Sequence, residues 1–481
     1  MNTTPDIEKS EGKRYYLVTL MIVYFVMLMG VGYSGVETLC GMLSLSHFTY
    51  TKYIEYCKYV TKKAIKRVDE LLGANRRAVF AFYKEKLNIM PDEDGVLNID
   101  VSFDGTWHTR GHTSLLGAGA VIDTHTGLIM DYATTSKICV PCKQHETALA
   151  KKTLTQEEYD EWQVNHVEDC DMNYEGTSGS MEAASAIRMW NRSLQHKMRY
   201  MHFVSDGDSS AFKAVKECND GEDPYGKENI IEKWDCTNHV AKRLGTGLRN
   251  LRKDTYIEVG QSGSRKRRSV LGGKNKLTDK TIDRLQHYFK QSIKRKVNTT
   301  EKTMRDEIMS SFYHCSSSDE KHNHDLCPKG EDSWCFFQAA LAKRETPPSH
   351  SEMKVFFSLP PEQLELVKEV YSRLTTDDMM KRCLQGLTQN RNESLHSRIW
   401  LHCPKHLMAT KRKLDFATAV ATMEYNNGYV ASNLHESLGL PYSTILDKSL
   451  KKKDLKMNRP TTKKMRNKRL QRELFYSPGN F

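Results

Sequence analysis

The sequence predicts an α/β protein with a three-layer core, a helical N-terminal region and a large, mostly helical insertion. Three observations carry that expectation. From Leu97 the apolar period becomes two: Ile99, Val101 and Phe103 alternate with Asp100, Ser102 and Asp104, so the two sets point to opposite faces of one strand. Three strands in a meander are then followed by strands that alternate with helices. Finally, 481 residues exceed what one apolar core usually serves, which leaves room for a second body.

Residues 1–12 lack apolar periodicity and are expected to be disordered, and 13–92 read as helical. Tyr15 to Val36 carries no charge and follows Lys13 and Arg14, which superficially suggests a membrane span. Gly30, Gly32 and Gly35 end it, however, and leave an apolar run from Tyr15 to Met29, short of the roughly 20 residues a span needs. A buried helix, a glycine turn and a second helix from Val36 to Leu45 fit better, the latter opened by a Ser34/Glu37 capping box. Tyr53 to Leu72 places Ile54, Cys57, Val60, Ala64, Val68 and Leu71 at helical spacing among basic residues. This suits either a helix-turn-helix module or a helical cap on the main domain.

The core is expected over 96–244. Strands Ser114–Ile122 and Leu128–Thr134 follow the first, with a turn near Gly111. A Gly/Ser-rich loop, a helix Met181–His196, strands Tyr200–Val204 and Ile230–Trp234, and a helix from about Thr237 complete it. Residues 245–385 form the basic, mainly helical insertion, with a loop from His314 to Gly330. Residues 386–434 return to the core as helices, and 450–481 read as a basic tail.

With 38% apolar and 9% aromatic residues the chain can bury a core, which excludes disorder throughout. The net charge of +12 is concentrated: residues 241–300 hold 17 basic against 4 acidic side chains, and 451–481 hold 11 against 2. Such clusters on a mildly acidic body suit nucleic acid, since cations meeting phosphates release condensed counterions. Arg265, Lys266, Arg267 and Arg268, and Lys451, Lys452 and Lys453, are the candidate DNA contacts, and both runs also suit nuclear import signals.

Asp104 lies at the end of the first strand in FDGTW, and Asp206 lies just past the fourth in VSDGDSSAF. Acids at strand ends are costly unless paired or metal-bound, so they suggest a divalent-cation site. Glu393 in QNRNESLHSRIW is the best third carboxylate. Two hard cations held by three acids would stabilise the attacking and leaving oxygens of a phosphodiester displacement. That is nuclease or strand-transfer chemistry.

The twelve cysteines favour CxxC and CxxH pairs over a disulfide-like scatter, which suits a reducing compartment and metal ligation. Cys139, Cys142, His166 and Cys170 form C-x2-C-x23-H-x3-C, with ligand-pair spacing at both ends, and predict a structural Zn²⁺.

Several motifs carry a resemblance. DGTWHTRG, SDGDSSAF, NYEGTSGSMEAASA, KLTDKTIDRLQ, CPKGEDSWC and QNRNES resemble the transposase domain of Mutator-like elements, a DDE family, from about Gly32 to Tyr429. The resemblance implies an RNase H-like mixed sheet with flanking helices, with the insertion between the fifth strand and the Glu393 helix. It implies that Asp104, Asp206 and Glu393 are the DDE triad, with Mg²⁺ or Mn²⁺ as cofactor. Cut-and-paste transposition on transposon ends and target DNA, a homodimer, a nuclear location and no membrane association go with it. Cys236 and His239 (CTNH) resemble a C-x2-H element of the family and, with Cys327 and Cys335 or His324, would make a second zinc set. Cys403 and His406 repeat the spacing without a partner pair.

Two positions depart from the family pattern: Arg391 stands where Pro is usual and His396 where Asn is usual. The alternative they keep open is a catalytically inactive, host-adopted or decayed derivative that binds DNA without cutting. The chain starts close to where the resemblance starts, so the zinc-finger module of many relatives is expected to be missing.

Overall fold

A computed structural model describes residues 6–10, 13–109, 113–206, 210–259, 266–350 and 357–457. The chain divides into two units: one runs up to Phe203, includes Ser209–Glu232 and resumes at Gln389, and the other is Lys233–Thr388 with the short piece Val204–Asp208.

The first unit opens with a hairpin, β1 (Asp6–Ser10) against β2 (Lys13–Tyr16), Ser10 opposite Lys13. Part of the stretch expected to be disordered is therefore paired; its strands are too short and polar to announce themselves. Helix α1 (Leu17–Leu28) follows and buries Leu20, Val23, Val26 and Met27. Gly30 ends it at φ +69°, where a Cβ would come within 2.5 Å of the Pro404 ring, so only glycine fits the turn. Helix α2 (Tyr33–Met42) starts at Gly32 with no side-chain cap. The expected Ser34/Glu37 box is not formed, because the helix begins earlier and Ser34 lies inside its first turn. Thr49 caps α3 (Tyr50–Phe82), which runs past the expected end at Leu72. No helix among the described residues is long and apolar enough to cross a membrane.

Strands β3 (Leu97–Trp107), β4 (Leu116–Asp123) and β5 (Ile129–Ser136) form the antiparallel meander, with Asp104 opposite Ala120. The turn expected near Gly111 lies outside the described residues. After α4 (Val140–Ala150), α5 (Gln156–His166) and α6 (Met181–Ser193) come β6 (Met198–Ser205), α7 (Ser210–Lys216) and β7 (Glu232–Asp235). The five strands make one mixed sheet in the order β5-β4-β3-β6-β7.

Period-two alternation sorts the two faces. Ile99, Val101 and Phe103 of β3 are buried with Ala186, Met189 and Trp190 of α6 and with Tyr200 and Phe203 of β6. Residues 117, 119 and 121 of β4 share that face, and a Cβ at Gly119 would meet the Phe103 ring at 3.0 Å and Ser185 Cβ at 3.3 Å; glycine there lets α6 lie close. Leu116, Ala118, Ala120 and Ile122 instead join the helical layer that contains α1 and α3.

The second unit is mainly helical: α8 (Thr237–Asp254), the hairpin β8 (Tyr256–Val259) and β9 (Lys266–Ser269), then α9 (Asp279–Arg295), α10 (Glu301–Ser316), α11 (Phe336–Lys343), α12 (Pro361–Arg373) and α13 (Asp377–Cys383). Val240, Leu244 and Leu248 of α8 share a core with Leu285, Phe289, Phe312, Phe357 and Tyr371. A boundary at residue 245 would cut through α8, whose apolar face decides that it belongs here. The loop expected from His314 starts later, because α10 continues to Ser316.

The chain returns to the first unit with α14 (Asn390–His402), α15 (Lys411–Ala431) and α16 (Thr444–Met457). The expected tail is thus helical through Met457, while 458–481 lie outside the described residues.

Candidate catalytic acids and cysteine–histidine clusters

The polar set of β3 faces α14. Asn392 is fully buried; its side-chain oxygen accepts from Ser102 Oγ at 2.7 Å, and its amide donates to the Ala120 carbonyl at 3.1 Å. The Gln389 amide donates to the Phe103 carbonyl at 2.8 Å, and Trp400 Nε1 donates to Thr106 Oγ1 at 2.9 Å. His396 Nδ1 lies 3.8 Å from a carboxylate oxygen of Asp104. Residues 389, 393, 396 and 400 recur every three or four positions, so they share one helical face. Glu393, distant from Asp104 in sequence, is thus carried by the helix that packs along the strand bearing Asp104. Glu393 is exposed and sits in the first turn of α14, where the helix dipole favours an anion; Asp104 is about a quarter exposed.

The two departures from the family pattern have structural occupations. Arg391 donates to the carbonyls of Asp123 and Thr124, at 3.3 and 2.8 Å, tying the start of α14 to the β4–β5 turn. Burial pushes the His396 imidazole down to about 4, so at neutral pH an uncharged ring stands beside Asp104.

Asp206 directly follows β6, the strand beside β3 in the sheet. Its carboxylate is exposed and ion-paired with Arg243 at 3.0 Å. Cys236 immediately precedes α8 without a side-chain capping bond, and His239 lies in the first turn of the helix. A hydrogen bond to Cys236 raises His239 to about 9, with the charge of Asp206 adding to it. The CTNH pair thus engages itself beside Asp206 and does not join Cys327 and Cys335, which corrects the expected second zinc set. Among the described residues, the three acids do not form a ligand group with all donor atoms within 4.8 Å of one another.

Cys139, Cys142, His166 and Cys170 do form such a group. Cys139 and Cys142 come from the start of α4, His166 from the last turn of α5, and Cys170 from just beyond it. Cys142 Sγ is 3.6 Å from Cys170 Sγ, and Cys139 Sγ is 3.1 Å from His166 Nε2. Trp162 stacks on His166 and on His145, which orients the His166 ring. This set can hold a metal such as zinc.

A second group joins Cys327 and Cys335 to His314 and His324. His314 was not expected. The signal was present as H-x9-H-x2-C-x7-C, but the sequence places His314 at the start of an expected loop, where nothing local marks it as a ligand.

Of the basic residues, Lys266, Arg267 and Arg268 lie on β9, and Arg265 falls outside the described residues. Arg267 and Arg268 are exposed, and the Arg267 guanidinium lies 4.4 Å from the Tyr256 ring centroid. Lys451, Lys452 and Lys453 are exposed on α16; Lys451 pairs with Asp447 at 2.8 Å.

A family model described as Mutator-like transposase matches residues 2–335. The match spans Asp104, Asp206 and both cysteine–histidine groups and ends before Glu393. No curated protein and no solved structure matches the chain.

Proposed function

The chain belongs to the Mutator-like transposase family, and from that premise we propose that it is a DDE-type transposase that cleaves and joins DNA phosphodiesters with Asp104, Asp206 and Glu393. In this reading the first unit is an RNase H-like catalytic fold, and the second is an insertion between its last strand and the Glu393 helix. The observation that carries the reading is the α14–β3 seam, where Gln389, Asn392 and Trp400 hydrogen-bond to Phe103, Ser102 and Thr106 and His396 lies beside Asp104. It lays a helix carrying an exposed acid along the strand that carries the first aspartate.

The donor set suits Mg²⁺ or Mn²⁺: three carboxylates are hard oxygen ligands. Glu393 and Asp206 are exposed, and the imidazole beside Asp104 is uncharged at neutral pH. When bound, such cations supply charge stabilisation at the reacting phosphate. The protein's own residues orient Asp104 and Glu393 through the buried Asn392 bonds. Arg267, Arg268 and the α16 lysines would hold DNA phosphates without reading sequence. Action in the nucleus as a homodimer that brings two transposon ends together completes the proposal, with Zn²⁺ in the Cys139/Cys142/His166/Cys170 group.

A second reading, a transposase-derived DNA-binding protein that does not cut, is favoured by the ion pair between Arg243 and Asp206, which occupies one proposed ligand. The deciding experiment is Mg²⁺-dependent cleavage of DNA bearing the element's terminal inverted repeats. The wild-type chain should cleave, and Asp104→Asn should lose at least about 100-fold in rate while retaining DNA affinity. Binding without cleavage by the wild type would establish the second reading, and cleavage by Asp104→Asn at the wild-type rate would refute the assignment.

A further inference from the structure

We infer that His314, His324, Cys327 and Cys335 hold a single structural Zn²⁺ in the second unit, and that His350 and Asp319 orient His324 toward it. The four side chains come from the last turn of α10, the connection that follows it, and the residue that starts α11. All four are buried, at 4%, 3%, 3% and 0% exposure in that order.

The distances match a coordination tetrahedron. Bonds of about 2.3 Å to sulfur and about 2.0 Å to nitrogen imply S···N edges of roughly 3.5 Å and N···N edges of roughly 3.3 Å. Here Cys335 Sγ and Cys327 Sγ lie 3.5 and 3.7 Å from His324 Nδ1, and Cys327 Sγ lies 3.9 Å from His314 Nδ1. The two Nδ1 atoms are 3.2 Å apart. Charge agrees with geometry: two thiolates and two neutral imidazoles cancel a divalent cation, whereas an uncompensated buried charge is costly. Loading releases one proton from each thiol to solvent and leaves the ring N–H on the far side of each imidazole.

The other nitrogen of His324 is committed. His324 Nε2–H donates to His350 Nε2 at 2.9 Å, and His350 Nδ1–H donates to Asp319 Oδ1 at 2.7 Å. This chain fixes the tautomer that presents Nδ1 to the metal, the role hydrogen-bonded carboxylates play behind ligating histidines. It also argues against a second ion among His322, His324 and His350. That site would take the nitrogen already used and would have only neutral imidazoles to offset the charge. The metal gives the segment between Ser316 and Phe336 an anchor: it has no helix or strand of its own, and its Leu326 is exposed.

Metal content of the purified full chain, by atomic emission after dialysis, tests the assignment without reference to cleavage. The wild type should carry two zinc equivalents. Cys327→Ser with Cys335→Ser should carry one, and so should Cys142→Ser with Cys170→Ser. Unchanged zinc in the first of these pairs overturns the site. Should that pair not fold, cobalt loading of the Cys142→Ser/Cys170→Ser chain reads the remaining site directly. One equivalent with tetrahedral visible bands and two-thiolate charge transfer supports it. Octahedral spectra, or a second equivalent, overturn it. Asp319→Asn should keep the stoichiometry and yield zinc to a chelator about 10-fold more readily; an unchanged yield removes His350 and Asp319 from the assignment.

Discussion

The two faces of β3 do opposite work within one strand. On one side Ile99, Val101 and Phe103 are buried against α6 and β6 with no polar partner. On the other, each outward residue meets a polar group: Asp100 meets His125 and His202, Ser102 meets Asn392, Asp104 meets His396, and Thr106 meets Trp400. Strand alternation therefore separates what holds the sheet together from what is available for chemistry. Substitutions at adjacent positions should then differ in kind.

Phe103 and Asp104 make the largest contrast. Phe103→Ala removes a ring packed edge-on against Trp190 and Phe203 and should cost about 3–5 kcal/mol of unfolding free energy in urea. Asp104→Asn should leave the urea midpoint nearly unchanged while abolishing cleavage. If the two substitutions shift the midpoint equally, the division between the faces is wrong.

Asn392→Ala tests whether the polar face is structural as well. It strands a buried Ser102 hydroxyl and the Ala120 carbonyl, so a loss of about 1–3 kcal/mol is expected. Loss of cleavage should accompany it, because Glu393 is carried by the same turn. A stable variant with a misplaced helix would show the second effect without the first.

The sheet was legible because period-two alternation is a local signal: the strands at Leu97, Leu116 and Ile129 fall within a few residues of their expected ranges. The short hairpins were not, since Asp6–Ser10 and Lys266–Ser269 are polar and only pairing makes them strands. The allegiance of α8 to the second unit depends on Leu244 and Leu248 meeting Phe289 and its neighbours, a tertiary fact. The two cysteine–histidine groups divide the same way. The first announces itself as paired ligands at close spacing, whereas the second recruits His314 from a helix and His350 as support across a longer stretch. Cys236 and His239 show that ligand spacing alone misleads, because a cysteine three residues before a histidine at a helix start bonds to it directly. The polar partners of β3 were half legible: alternation marked Ser102 and Asp104 as facing away from the core, but nothing local says that Asn392 and His396 receive them.

The smallest expected effect concerns His396 and is read by pH. The imidazole is held at about 4, against about 6.5 for an exposed histidine. The unfolded chain therefore takes up a proton near pH 6.5 that the folded chain refuses until about pH 4. The contribution is fully present above pH 6.5, is lost as pH falls from about 6.5 to about 4, and changes no further below that. His196, also pushed down to about 4 by burial, has the same sign but remains in both proteins when His396→Asn is compared with wild type. Over that window the variant's stability should fall less steeply than the wild type's. Were the ring instead a charged partner of Asp104, its folded pKa would be raised, and the wild type would gain on the variant as the pH dropped. The sign of the difference thus decides whether Asp104 keeps its negative charge for a cation or spends it on its neighbour.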